Sequence, residues 1–211
     1  MLRPIIKKVK VSRRALEKLV KKGVGRSSRI KDKAYEIAIK RVRRAKSQAV
    51  SKFNKHPVTQ EIEEGPNAFN KSRTIVGRGN LFSFIGFFEG SRPTNIVREY
   101  LESSSRVYRN SKFVNSVASQ SFNFRVELPS LDKIKRFTPL PWESGRSWVV
   151  GIERGISGIG NYMYGRFSDS RSGSAIQSKS DGGFGLFKKT RYMSEIIAEF
   201  RAKVTGRMIR R

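Results

Sequence analysis

From Ile30 to Phe53 the residues Ile30, Ala34, Ile37, Ala38, Val42, Ala45, Ala49 and Phe53 recur at spacings of three and four. That rhythm places them on one stripe of an α-helix. Four of the eight are alanines, and small side chains let a helix approach a flat partner such as a sheet. The remaining faces carry Lys31, Lys33, Lys40, Arg41, Arg43, Arg44, Lys46 and Lys52. The chain therefore has to fold around a long, basic, amphipathic helix with one thin apolar edge. His56-Pro57 ends it, because a residue before proline is driven out of the helical region.

The charge on this helix is part of a larger imbalance. The 211 residues hold 45 Lys+Arg against 17 Asp+Glu, a formal net charge of +28. Residues 1–55 hold 20 basic and 3 acidic side chains, net +17, and residues 56–211 hold 25 and 14, net +11. Self-repulsion of this size destabilises a compact monomer unless something anionic shares its surroundings. Nucleic acid, an acidic assembly partner or an anionic membrane surface are the candidates. A 10% aromatic content, 14 Phe among it, argues for a folded body rather than wholesale disorder.

The pattern along the chain predicts an α+β fold. Residues 4–11 suit a short edge strand or extended arm. Ser12 can cap a short helix through Val20, stopped by Gly23, and residues 23–29 read as a basic Gly/Ser linker. Val58 to Glu64 suits one or two further helical turns. Residues 67–80 read as loop and Gly-rich turn, followed by a buried apolar stretch from Leu81 to Phe88, and Asn95 to Leu101 has helical spacing. Residues 103–112 read as a turn or exposed connection. Phe122, Phe124, Val126 and Leu128 alternate with polar residues as a strand. Residues 131–141 read as a Pro-bounded connection, 148–159 as a Gly-weakened helix and 194–208 as a C-terminal amphipathic helix, with a basic tail over 207–211. The expected architecture is a long amphipathic basic helix and a C-terminal helix packed on a small, mainly antiparallel sheet. A basic N-terminal arm (1–29) would precede a single domain (30–211) containing a Ser/Gly-rich loop at 168–185.

Little in the sequence points to catalysis. The chain has no cysteine, which removes disulfides, thiolate metal sites and thiol chemistry. Its single histidine, His56, reads as a helix-terminal surface residue without convergent partners. Glu61, Glu63 and Glu64 read as carboxylates offsetting neighbouring lysines, within the folded chain or across a subunit interface. Gly77-Arg78-Gly79 lacks the ending of a phosphate-binding loop, and the glycines at 155, 158 and 160 run in the reverse order of the dinucleotide fingerprint. We therefore expect no enzyme, no cofactor, no metal and no small-molecule substrate. No apolar run approaches transmembrane length and no secretory leader is evident, so the expectation is assembly in the cytoplasm.

The candidate contacts to an anionic partner are Lys7, Lys8, Lys10, Arg13, Arg14, Lys21, Lys22, Arg41, Arg43 and Arg44. Contacts of this kind to phosphates are independent of base sequence and strongly salt-sensitive. Leu81, Phe82, Phe84, Phe87, Trp142 and Trp148 are the candidates for packing or a subunit interface.

Several segments taken together carry a resemblance. The long basic helix runs into Phe53-Asn-Lys-His-Pro-Val-Thr-Gln-Glu-Ile62 and Gly65-Pro-Asn-Ala68, then Gly77-Arg-Gly-Asn-Leu-Phe-Ser-Phe-Ile-Gly-Phe87. Trp142, Gly145-Arg-Ser-Trp148, the run from Gly151 to Gly160 and Ser170 to Gln177 precede the last helix. This arrangement, over residues 30–205, resembles the virion structural proteins of tailed bacteriophages, in the tail-completion or head–tail neck group. The resemblance is one of pattern and order, and residues 1–29 have no counterpart in it. It implies a subunit of a homo-oligomeric ring in the virion, touching other neck and tail proteins and lying beside DNA. The alternative that the composition supports by itself is a sequence-nonspecific nucleic-acid-binding protein, ribosome-associated or DNA-packaging.

Overall fold

The computed structural model describes residues 6–10, 28–76, 79–116, 119–141, 143–154, 166–167, 175–176 and 187–206. The fold is α+β, with seven α-helices and small antiparallel sheets among the described residues. The chain groups into two compact units. Residues 1–49, 101–130 and 197–211 form the first, and residues 50–100 and 131–196 the second.

The first unit is built on a three-stranded antiparallel sheet in the order β1-β3-β2, with β1 at Ile6–Lys10, β2 at Arg106–Ser116 and β3 at Ser119–Glu127. The strand expected near residue 122 is thus the centre of the sheet, and the segment expected at 4–11 supplies an edge. Helix α1, Ser28–Lys55, lays its alanine edge on this sheet: Ile30, Ala34 and Ala38 cluster with Phe122 and Phe124. Tyr35 reinforces the contact, its ring 5.7 Å from that of Phe124 and its hydroxyl donating to the Val107 carbonyl at 3.2 Å.

β2 was not expected, since residues 103–112 read as a connection. Its sequence is polar, and a register shift between Tyr108 and Ser111 interrupts the alternation by which strands are recognised. The sheet supplies the missing signal by pairing β2 along β3.

The last helix of the described chain, α7 (Met193–Thr205), falls close to the expected 194–208. Its residues in the first unit bury Ile197, Phe200 and Val204. Arg41 closes its C-terminal end, Nε donating to the Lys203 carbonyl at 2.9 Å, one of the carbonyls a helix end leaves without a partner. Gly206 follows at φ +71°, and a Cβ there would lie 2.8 Å from the Arg41 guanidinium.

The second unit packs short helices around aromatic side chains. α2 spans Pro57–Glu63, α3 Leu81–Ile85, α4 Thr94–Ser103, α5 Leu131–Phe137 and α6 Trp148–Arg154; the last three residues of α4, from Leu101, belong to the first unit. Asn80 caps α3 by accepting from the Ser83 N–H at 2.9 Å. Gly86 at φ +81° ends it, with Phe87 N–H returning to the Phe82 carbonyl and Gly86 N–H to that of Ser83. This paired return is the Schellman arrangement, which needs a left-handed residue that glycine supplies without strain.

Helix α5 corrects the expected connection at 131–141. Ile134 is fully buried and Phe137 packs edge-on against Tyr100 at 5.0 Å, while Asp132 and Lys135 and Arg136 suit the two ends of the helix dipole. The prolines at 129 and 139 bound this helix rather than prevent it. Strands β4 (Pro139–Leu140) and β5 (Glu143–Ser147) form a small ladder that leads into α6, capped by Ser147 Oγ accepting from Val150 N–H at 3.3 Å. Within the expected structureless loop at 168–185, β7 (Ala175–Ile176) pairs antiparallel with β6 (Arg166–Phe167); the remainder of that loop, the helix expected after Ser12, the 23–27 part of the linker, residues 155–159 of the 148–159 helix and the tail at 207–211 lie outside the described residues.

Candidate anion-binding surface

Several carboxylates of the described residues are turned inward or tied to a partner, which leaves much of the outward charge positive. The three glutamates on α2 and its end show how. Glu61 is fully buried, and its oxygens accept backbone N–H bonds from Leu81 at 2.7 Å and Ser72 at 2.8 Å. It thereby caps α3 from across the loop, where a helix leaves amides without partners and favours negative charge. It does not offset a lysine, as the sequence suggested. Glu63 accepts from Thr94 Oγ1 at 2.9 Å and pairs with Arg98, and Glu64 pairs with Lys71. Glu153 repeats the capping device: its Oε1 accepts from the amides of Tyr192 and Ser194 at the start of α7, at 3.3 and 2.6 Å.

His56 is half-buried rather than a surface residue. Its Nδ1 accepts from the Val58 N–H at 3.2 Å, capping α2, and its ring lies 4.8 Å from that of Tyr192. Burial lowers its pKa, partly opposed by the Arg191 backbone and the Glu195 carboxylate. Below the ordinary histidine pKa of about 6.5 the unfolded chain takes up a proton that the folded chain resists, so stability falls with pH until the folded imidazole also protonates. Because this is the only histidine, thermal melts of His56→Asn, which keeps a capping oxygen, should fall less than wild type between about pH 6.5 and pH 5. Parallel curves for the two proteins would remove His56 as the cause.

Nearby, Tyr192 is buried with its hydroxyl 2.7 Å from Thr59 Oγ1, and burial pushes its phenol far above the usual value. These are structural contacts. Among the described residues no group of three or more His, Asp or Glu side chains is placed to hold a metal ion.

The basic candidates fall in different places. Lys7, Lys8 and Lys10 lie on β1, where the register sets Lys8 opposite Arg125. Arg13, Arg14, Lys21 and Lys22 lie outside the described residues, as does Trp142. Arg43 and Arg44 are exposed on α1 together with Lys33 and Lys40, whereas Arg41 bonds to the end of α7. Leu81, Phe82, Phe84, Phe87 and Trp148 are all buried within the chain. Phe87 meets Phe82 at 5.5 Å and Trp148 edge-on at 5.7 Å, and Phe84 stacks on Phe187 at 5.5 Å. Among the described residues, the large apolar side chains that the second unit still exposes are instead Phe69, 82% exposed, with Phe88 at 57%, Val76 at 54% and Ile96 at 44%.

The sequence reading missed a cluster on the open face of the sheet. Phe122, Phe124 and Val126 are buried on the α1 side, so the alternation turns Asn123, Arg125 and Glu127 to the other. Tyr108 stands opposite Arg125 in the register. The Arg125 guanidinium lies 5.2 Å from the Tyr108 ring centre and that of Arg106 5.6 Å. The Tyr108 hydroxyl donates to Glu127 at 3.1 Å, which fixes the ring. Other cations of this unit are differently placed: Arg109 pairs with Asp32 at 2.6 Å, which raises the guanidinium pKa further, and Lys33 pairs with Glu36 at 2.8 Å, which lowers that carboxyl. Arg106 and Tyr108 at alternate positions of the polar strand β2 were the available signal, and it was lost with the strand itself.

No described helix is long and apolar enough to cross a membrane. Comparison with family models, with characterised proteins and with solved structures gives no match to this chain.

Proposed function

We propose that the chain is a non-enzymatic structural protein of a tailed-phage virion, a ring subunit of the neck or tail-completion region that sits beside DNA. The observation that carries the reading is the division of the molecule's surface. One unit presents an exposed cationic helix face and a cationic sheet face, and the other presents large apolar side chains. Exposed apolar surface rimmed by polar groups suits contact with other protein subunits. Ring closure by identical subunits would add the stability that self-repulsion at +28 takes from the monomer. The long basic helix laid on a small antiparallel sheet is also the architecture that the sequence resemblance implies. Partners in this reading are copies of the same chain, other virion proteins and DNA contacted without sequence preference.

The second reading, a sequence-nonspecific nucleic-acid-binding module, draws on the exposed Lys40, Arg43 and Arg44 of α1. Light scattering and negative-stain microscopy of the purified protein separate the two. Rings with weak, salt-sensitive DNA binding are the expected result. A monomer that binds RNA tightly with a steep salt dependence would overturn the neck reading and leave the second.

A further inference from the structure

We propose that Arg106 and Arg125, braced on Tyr108, form a two-guanidinium fork that binds backbone phosphates of nucleic acid on the open face of the β1-β3-β2 sheet. The inference rests on the reading that this chain's charge meets nucleic acid, and it assigns that role to a particular place.

Three observations lead to it. The two guanidiniums approach one tyrosine ring, at 5.6 and 5.2 Å from its centre. A guanidinium held against an aromatic ring is attracted by the ring's electron-rich face while its planar edge of N–H donors stays available. That edge matches two oxygens of a phosphate. Second, both arginines are exposed, and among the described residues neither side chain has a hydrogen bond or ion pair. Glu127 stands opposite Arg106 in the register and accepts from the Tyr108 hydroxyl, so it orients the ring against which both cations lie. Third, two like charges gathered at one ring repel each other, and side chains this exposed could swing apart into water. An arriving anion offsets the repulsion.

The register extends the row. Lys8 of β1 stands opposite Arg125, Arg125 opposite Tyr108, and Arg106 lies two residues before Tyr108 on β2, so each of the three strands contributes one cationic position to this part of the sheet. A line of cationic positions suits a polymer of phosphates better than a single small anion. The recognition it supports is of backbone, with no base selectivity.

The test measures binding of a short mixed-sequence DNA duplex to the full-length chain by fluorescence anisotropy over a salt series. It compares wild type with Arg106→Gln/Arg125→Gln and Arg106→Lys/Arg125→Lys, each checked by thermal melting. Both side chains are exposed, so the variants should melt as wild type does. The Gln pair should lose about ten-fold or more in affinity at low salt, and its log–log salt slope should shrink by about 0.9 for each phosphate contact removed. The Lys pair should keep the slope and still lose affinity, because an ammonium carries the charge without the fork. Lys variants binding as tightly as wild type would overturn the fork in favour of bulk charge. If wild type binds DNA and the Gln pair is unchanged in affinity and slope, the fork is wrong while the nucleic-acid reading stands. If wild type binds no DNA, that reading fails as well. Loss of poly-glutamate binding in the Gln pair with DNA binding intact would make the occupant an acidic protein and overturn the phosphate assignment.

Discussion

Replacing Glu61 by alanine should destabilise the protein by about 3–5 kcal/mol, measured by urea denaturation. The carboxylate is fully buried, and its two oxygens hold the amides of Ser72 and Leu81 at 2.8 and 2.7 Å. Removing it leaves the buried Leu81 N–H without an acceptor, at about 1–3 kcal/mol, and the half-buried Ser72 N–H as well, together with a cavity where the side chain stood. The damage should be directed. Ser72 lies in the loop before α3 and Leu81 is its first residue, so the variant should lose the cap on α3 and loosen the loop over 68–76.

Glu61→Gln should cost less, about 2 kcal/mol, because one amide oxygen still accepts while the NH2 group faces the other donor. Glu64→Ala gives the contrast on the same short segment: its pair with Lys71 is exposed, and its loss should cost under about 1 kcal/mol. Equal effects of Glu61→Ala and Glu64→Ala would mean that water replaces the Glu61 carboxylate.

That contrast also shows where sequence reasoning ends. Glu61, Glu63 and Glu64 look alike in a chain, yet one caps a distant helix, one joins Thr94 and Arg98, and one makes a surface pair. Which role each takes depends on the chain returning at Ser72, Leu81, Thr94 and Arg98, and nothing local records those returns. Helix α1 and strand β3 were legible because period and burial agree in them: Ala34 and Ala38 fall at helical spacing, and Phe122, Phe124 and Val126 at strand spacing. β2 and α5 were not. The first hides its alternation behind a bulge and polar side chains, and the second offers only Leu131, Ile134 and Phe137 between two prolines.

The same limits governed the surface. The exposed cations of α1 could be read from its pattern, because a helix with one apolar edge has to turn its lysines and arginines outward. The Arg106–Tyr108–Arg125 cluster could not, since it depends on pairing two strands of which one was unseen. Aromatic richness around residues 81–88 suggested packing or an interface, and burial of Leu81, Phe82, Phe84 and Phe87 uses that surface within the chain. Phe88 and Phe69 remain outward instead.

The second large effect is expected where α1 meets the sheet. Phe124 is fully buried on the central strand, in one cluster with Ala34 and Ala38. Phe124→Ala should cost about 3–5 kcal/mol, through lost apolar burial and the cavity left beneath the helix. Ala38→Leu should also destabilise, by about 1–3 kcal/mol, because the alanine edge is what admits the helix so close to the sheet. Large and small residues face each other here, so the two changes should compensate in part. The double variant should be more stable than the two separate losses predict, by about 0.5–3 kcal/mol of coupling. Strict additivity would mean that the two side chains do not share one packed layer. The compensation bears on function through geometry: the layer that holds Phe124 inward sets the alternation that turns Arg125 outward toward Tyr108. A double variant that recovers stability should therefore recover DNA binding with it, whereas Phe124→Ala alone should lose both.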